Sequence, residues 1–200
     1  RKEFALTKEV KRATVHIAGM GLYELFINGQ RIGEQVLAPA PTDYRKTILY
    51  NTYDVTPQLQ KENAIGVILG NGRFYTMRQN YKPYKIPTFG YPKLRLNLIV
   101  EYTDGSRQTI TSDISWKLTT EGPIRSNNEY DGEEYDARKE LGDWNRAGYD
   151  DTNWIPAGRV SIPSGTLRAQ MMPGMKVTES LKPVSIRKQG DKQILDIGQN

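Results

Sequence analysis

Apolar and polar positions alternate along most of this chain with the two-residue period of half-buried strands. Between Thr14 and Asn28, β-branched and aromatic residues flank Gly19 and Gly21. Tyr23, Leu25 and Ile27 fall on one face there and Leu22, Glu24 and Phe26 on the other, which predicts two strands. Asn28-Gly29 follows at once, a pair that tolerates the two positive φ values of a type I′ turn, so a hairpin is expected with Ile32 opening the return strand. The longest alternation runs from Lys93 to Tyr102. Leu94, Leu96, Leu98, Val100 and Tyr102 share one face, Lys93, Arg95, Asn97 and Glu101 the other, and Ile99 interrupts the pattern. Asp104-Gly105 then turns the chain into a polar strand, Arg107 to Thr111, completing a second hairpin with one wet face. Sheets apolar on one side must pair face to face, which predicts an all-β sandwich of the jelly-roll-like, galactose-binding-like kind.

Helical periodicity is scarce. One short turn is predicted at Thr56 to Leu59, with Thr56 as N-cap and Pro57 at the first helical position, and another near Asp150 to Trp154. Eighteen glycines and eleven prolines punctuate the chain at intervals suited to short strands. Tyr81 to Pro92, with three prolines and four aromatics, reads as an ordered surface loop. The resulting division is a strand or linker over 1–12, a β-sandwich over 13–160, a connector over 161–174, and the incomplete start of a second β-domain over 175–200. The expectation is that the chain is trimmed at both ends.

Composition narrows the function classes. Twelve tyrosines, four phenylalanines and three tryptophans spread along 200 residues supply a core and argue against disorder. The net charge of +5 comes from basic residues scattered singly, with Lys8 to Arg12 the densest patch, and no recognition motif accompanies it. Nucleic acid is therefore not an expected partner. No apolar run approaches the length of a bilayer span, so no membrane partner is expected either. With no cysteine, disulfides, thiolate metal sites and a cysteine nucleophile are excluded. That composition suits the cytosol as well as a bacterial periplasmic or secreted setting and selects neither.

His16, the single histidine, lies between Val15 and Ile17 and reads as a partly buried strand residue; one histidine excludes most zinc sites and a histidine-based triad. Gly19-Met20-Gly21 reads as a bulge or turn rather than a nucleotide fingerprint. The densest acidic stretch, Asn127 to Asp136, has the hard oxygen ligands that calcium prefers, making Asn128, Asp131, Glu133 and Asp136 candidate calcium ligands. The alternative is a solvated loop paired with Arg125 and Arg138. Glu133, Glu134 and Asp136 could in principle form a glycosidase pair, although one short β-segment rarely supplies both groups across a scissile bond. Sugar recognition calls for aromatic faces and planar polar side chains. Asn71, Arg73, Phe74, Tyr75, Tyr130, Tyr135 and Trp144 are the candidates, with Tyr81, Tyr84 and Tyr91 nearby, whereas Trp116 and Trp154 read as core.

Several phrases carry a resemblance. Tyr23 to Gln30 (YELFINGQ), Leu37-Ala38-Pro39 with Thr42-Asp43-Tyr44, Leu49 to Thr56 (LYNTYDVT) and Asn63 to Gly72 (NAIGVILGNG) resemble, in order and spacing, the N-terminal β-sandwich of bacterial α-L-rhamnosidases. Gly132 to Arg138 (GEEYDAR) and Tyr149 to Trp154 (YDDTNW) look like that family's next signatures, and Asp196 to Asn200 (DIGQN) like the opening of its following β-domain. The resemblance extends from about Ala13 to the end. It implies a multidomain inverting hydrolase that removes terminal α-linked L-rhamnose, with its acid and base on an α/α barrel outside this chain. It also implies, from some relatives, a β-domain that binds rhamnose with the help of calcium. Two departures stand out: Arg73 where an aromatic commonly follows the Gly-Asn-Gly turn, and an extra residue in Gly142-Asp143-Trp144.

The expected function is a non-catalytic accessory segment of an α-L-rhamnosidase. It would contact the catalytic barrel and neighbouring β-domains of its own protein, and take a rhamnose-containing glycan or glycoside as partner. The alternatives are an independent carbohydrate-binding module of another glycosidase and a structural packing domain.

Overall fold

This computed structural model describes residues 1–76 and 88–198. Its strands are β1 (Lys2–Ala5), β2 (Val10–Met20), β3 (Leu22–Ile27), β4 (Gln30–Ile32), β5 (Thr47–Asp54), β6 (Glu62–Gly70), β7 (Lys93–Tyr102) and β8 (Arg107–Thr111). They are followed by β9 (Lys117–Leu118), β10 (Ile124–Asn128), β11 (Gly132–Tyr135), β12 (Ile155–Pro156), β13 (Thr166–Ala169), β14 (Ser185–Gln189) and β15 (Lys192–Asp196). The helical elements among the described residues are two three-residue 3₁₀ turns, at Thr56–Gln58 and Ala137–Lys139. Among the described residues no helix is long and apolar enough to cross a membrane.

Two sheets face one another, in orders β1-β6-β3-β4 and β13-β5-β2-β7-β8. The core between them draws Val15 and Ile17 from β2 and Leu96, Leu98 and Val100 from β7, against Leu25 and Ile27 of β3 and Ile65 of β6. These are the alternate positions read from the pattern, because a strand sends every second side chain to the same face. Ile99 sits on the opposite face of β7 and is only half-buried. The Asn28-Gly29 turn has φ of 51° and 83°, as the hairpin requires, and Ile27 pairs with Gln30, so the return strand opens at Gln30 and closes at Ile32. Gly21 carries the chain from one sheet to the other at φ +110°, where a Cβ would lie 2.3 Å from the carbonyl oxygen of Gly70.

Several expectations change. Val55, not Thr56, holds the N-cap position of the first 3₁₀ turn, and it caps with no side-chain bond. Asp54 accepts the Thr56 backbone N–H at 2.9 Å and its hydroxyl at 2.6 Å, while the Thr56 oxygen accepts the Ala13 N–H. Asp54 thereby organises the turn and Thr56 ties it to β2. Residues near Asp150 to Trp154 form a hydrogen-bonded turn, Trp154 N–H to Asp151 C=O, rather than a helix. A helical turn appears instead at Ala137–Lys139, where Asp136 accepts the Arg138 N–H. Trp116 is buried as expected, but Trp154 is only half-buried. The 1–12 segment contributes β1 to the four-stranded sheet, paired with β6, and β2 begins at Val10. The connector over 161–174 contains β13, which pairs in parallel with β5 and extends the five-stranded sheet. Beyond it, β14 and β15 form a hairpin.

Candidate functional site

A groove of about 630 Å³ opens where the β2–β3 turn, the end of β6 and the β10–β11 hairpin meet. Its apolar lining residues are Leu22, Leu37, Pro39, Pro41, Ile68 and Met175. Its polar ones are Arg73, Asn127, Asn128, Glu129 and Glu133. They come from stretches far apart in sequence, and specific bonds join them. Asn71, just after β6, donates its backbone N–H to Asn127 Oδ1 and its side-chain Nδ2 to the Asn127 carbonyl, both at 2.7 Å. Arg73 Nε donates to Glu129 at 2.9 Å. These bonds dock the hairpin against the sandwich and hold the polar lining residues in place. Tyr44 also lines the groove, and burial pushes its hydroxyl pKa up.

The sequence-derived sugar candidates separate under the fold. Arg73 lines the groove, and Asn71 positions the Asn127 that lines it. Phe74 does not serve as a ligand contact: it is fully buried, with Tyr44 at 5.0 Å edge-on, Phe89 stacked at 5.5 Å and the Lys93 ammonium 4.7 Å from its ring. The reason is the tight turn at Asn71 to Phe74, where the Phe74 N–H bonds back to the Asn71 carbonyl and aims the ring inward. Tyr75 is half-buried and stacks on Tyr91 at 5.1 Å, with Tyr91 76% exposed. Tyr81 and Tyr84 lie outside the described residues, as does most of the loop expected at 81–92. Tyr130 and Tyr135 are exposed on the hairpin, Tyr130 donating its N–H to Asn128 Oδ1 and the Tyr135 hydroxyl bonding Glu140. Trp144 is taken by the fold. It covers the outer face of the four-stranded sheet, edge-on to Phe26 at 5.7 Å, stacked on Trp154 at 6.2 Å, and so close to Gly66 that a Cβ there would sit 2.5 Å from the indole.

Of the calcium candidates, Asn128 and Glu133 point apart and Asp136 is engaged by an arginine. Asn127 pairs with Glu133 and Asn128 with Gly132, so Asn128 and Glu133 project from opposite faces of the two-stranded ribbon. Asp136 is committed to Arg138, which donates Nε and Nη2 to its two oxygens at 2.8 Å. That hydrogen bonding holds the Asp136 carboxyl below its usual range. Among the described residues no three Asp, Glu or His side chains gather as a metal site. Glu133 and Glu134 alternate along β11 and face opposite ways, which separates these two of the three acidic residues considered for hydrolysis. His16, half-buried on β2, bonds the Thr52 hydroxyl at 2.9 Å and meets Tyr50 edge-on.

A second cavity, of about 460 Å³, brings the carboxylates of Glu3 and Asp151 together with Arg1 and Lys117. Both carboxylates are ion-paired with Arg1, whose side chain is 1% exposed and also donates to the carbonyls of Trp144 and Arg146 at 2.8 Å. Asp151 takes Lys117 as well, at 2.7 Å. Burial works to raise the Asp151 pKa, but the bonds from Lys117 and Arg1 outweigh it and hold the group below its usual value. A glycosidase acid needs the reverse, a carboxyl kept protonated near neutral pH.

The comparisons agree with this architecture. Residues 8–179 match the model of the "Alpha-L-rhamnosidase N-terminal domain" family. The chain belongs to the α-L-rhamnosidase N-terminal domain family. An α-L-rhamnosidase of Formosa agariphila is 42% identical over the whole chain, and one of Streptomyces avermitilis 38%. The domain spans about a fifth of the length of these curated relatives, 21% and 20% respectively. Among solved structures, the α-L-rhamnosidase from Dictyoglumus thermophilum superposes on all of the domain and 22% of its own chain with a TM-score of 0.89 at 44% identity. The Streptomyces avermitilis enzyme, solved in complex with L-rhamnose, does so over 19% of its chain with a TM-score of 0.89 at 34% identity.

Local patterning could not have found the groove. Leu22, Ile68 and Met175 carry no signal beyond ordinary apolar positions, and the Asn71–Asn127 bonds span 56 residues. Asn127 and the Leu37-Ala38-Pro39 phrase were visible in the sequence, but nothing there joined them.

Proposed function

We propose that this chain is a non-catalytic accessory domain of an α-L-rhamnosidase, and that its groove takes, weakly, a terminal sugar of a rhamnose-containing glycan or glycoside. The observation that carries the sugar reading is the mixed lining of the groove. Leu22, Ile68 and Met175 offer apolar surface to the C–H face of a ring, and Arg73, Asn127 and Glu129 have planar groups that suit hydroxyls. Family membership and the naming of the relatives as α-L-rhamnosidases support the choice of sugar. The non-catalytic part is supported by carboxylates such as Asp136 and Asp151, which their hydrogen-bonded cations hold below the usual range, the reverse of what a glycosidase acid needs.

Contact with the rest of the enzyme is the domain's second role. Val184, Ile186, Leu195 and Ile197 share one face of the β14–β15 hairpin and are all exposed, from 44% to 70%. Such a contiguous apolar face suits burial against the barrel or neighbouring β-domains.

The test is an NMR titration of the chain with L-rhamnose, with and without calcium, beside an aryl-rhamnoside hydrolysis assay. Saturable shifts confined to the groove, with no hydrolysis, are the expected result. No shift at tens of millimolar sugar would reduce the domain to structural packing, and turnover by the chain alone would overturn the non-catalytic reading. Shifts that appear only with calcium would restore a metal to the Asn128 and Glu133 region.

A further inference from the structure

We infer that Leu37 is the specificity-determining residue of the groove, holding an apolar contact for the methyl group that distinguishes a 6-deoxyhexose from the corresponding hexose. The inference rests on the sugar-binding reading above. Among the described residues two non-glycines have left-handed φ, Asn28 at 51° and Leu37 at 53°. Asn28 is in the hairpin turn and belongs to the residue type that tolerates that region. Leucine does not, because its Cβ crowds the following carbonyl. Strained backbone persists only where the surroundings impose it, and here they do. On one side the Val36 N–H donates to the Met175 carbonyl at 2.9 Å and Gln35 bridges to Lys176; on the other, the Ala38 carbonyl accepts the Tyr23 N–H at 2.8 Å. The chain between these anchors has to turn at Leu37.

Packing does not explain the leucine. Its side chain is 57% exposed, so it fills no core, and glycine or asparagine would make the same turn with less strain. What the leucine does is line the groove, as Pro39 and Met175 do. An apolar side chain held there by strain complements a part of the ligand that is itself apolar. In a 6-deoxyhexose that part is the C6 methyl; a hexose places a hydroxymethyl there and leaves its hydroxyl without a partner.

The experiment compares L-rhamnose with L-mannose, which differ only at C6, by titrating the whole chain and its Leu37→Asn and Leu37→Gly variants while recording melting temperatures. The native chain should prefer L-rhamnose by roughly fivefold, the size of one half-buried apolar contact. Both variants should bring that ratio to about one, and Leu37→Asn should melt at or above the native temperature because asparagine tolerates the turn. A preference that survives substitution, or a clear fall in melting temperature for Leu37→Asn, would overturn the inference while leaving sugar binding intact. If the native chain binds neither sugar, the sugar reading itself fails and the inference falls with it.

Discussion

Replacing Phe74 with alanine separates packing from ligand contact at the residue where the two readings conflict most. The ring is fully buried and meets Tyr44 edge-on at 5.0 Å, Phe89 stacked at 5.5 Å and Lys93 Nζ at 4.7 Å. Truncating a buried phenylalanine removes its transfer free energy and leaves a cavity, a loss of about 3–5 kcal/mol. The Tyr44 and Phe89 contacts are part of that figure, since ring pairs contribute about 0.5–1.5 kcal/mol beyond area. The small cluster of Ala18, Met20, Tyr44, Ile48 and Phe74 is the part of the core that would sense the void. For a chain of this size each kcal/mol moves the melting temperature by about 2–4 °C, so Phe74→Ala should melt roughly 6–20 °C lower. Circular dichroism melts measure this directly, and a rhamnose titration well below the new midpoint measures binding. A melting temperature within about 2 °C of the native protein, combined with lost sugar binding, would refute the buried assignment and restore Phe74 as a ligand contact.

Two further substitutions probe the frame that holds the groove. Gly21→Ala would place a Cβ 2.3 Å from the Gly70 carbonyl at a φ of +110°, so the β2–β3 turn must shift, and thermal melts should register a loss of about 2–4 kcal/mol with the groove lost as well. Asp151→Ala leaves the buried Arg1 and the half-exposed Lys117 short of a counter-charge; chemical denaturation at pH 7 should show a loss of about 3 kcal/mol, the lower end for a broken buried pair because Asp151 is itself 20% exposed. The native Asp151 carboxyl titrates below the usual 3.8, so its contribution is complete above that pH and lost as the pH falls through the folded value. The gap between native and Asp151→Ala should therefore close in strong acid, and a gap that stayed constant down to pH 2 would remove the ion pair as its cause.

What the sequence determined by itself was periodic and local. Strand β7 and its hairpin partner β8 were legible to the residue because alternation needs only neighbours along the chain. The Asn28-Gly29 turn was legible because its backbone demands those residue types. Family phrases in order gave the domain's kinship for the same reason. Long-range placement was decided by the tertiary structure. Phe74 and Trp144 look alike as candidate sugar platforms, yet a tight turn aims Phe74 into the core and Gly66 makes room for Trp144 on the outer face of a sheet. The acidic stretch offered candidate calcium ligands or a solvated loop, and only strand pairing placed Asn128 and Glu133 on opposite faces of a ribbon. Strand β13 was unreadable because its partner β5 lies more than a hundred residues earlier. The groove exists only because Asn71 binds Asn127 across 56 residues and Met175 is tied to Val36. Such contacts depend on which surfaces meet once the sheets pack, and no local pattern encodes that.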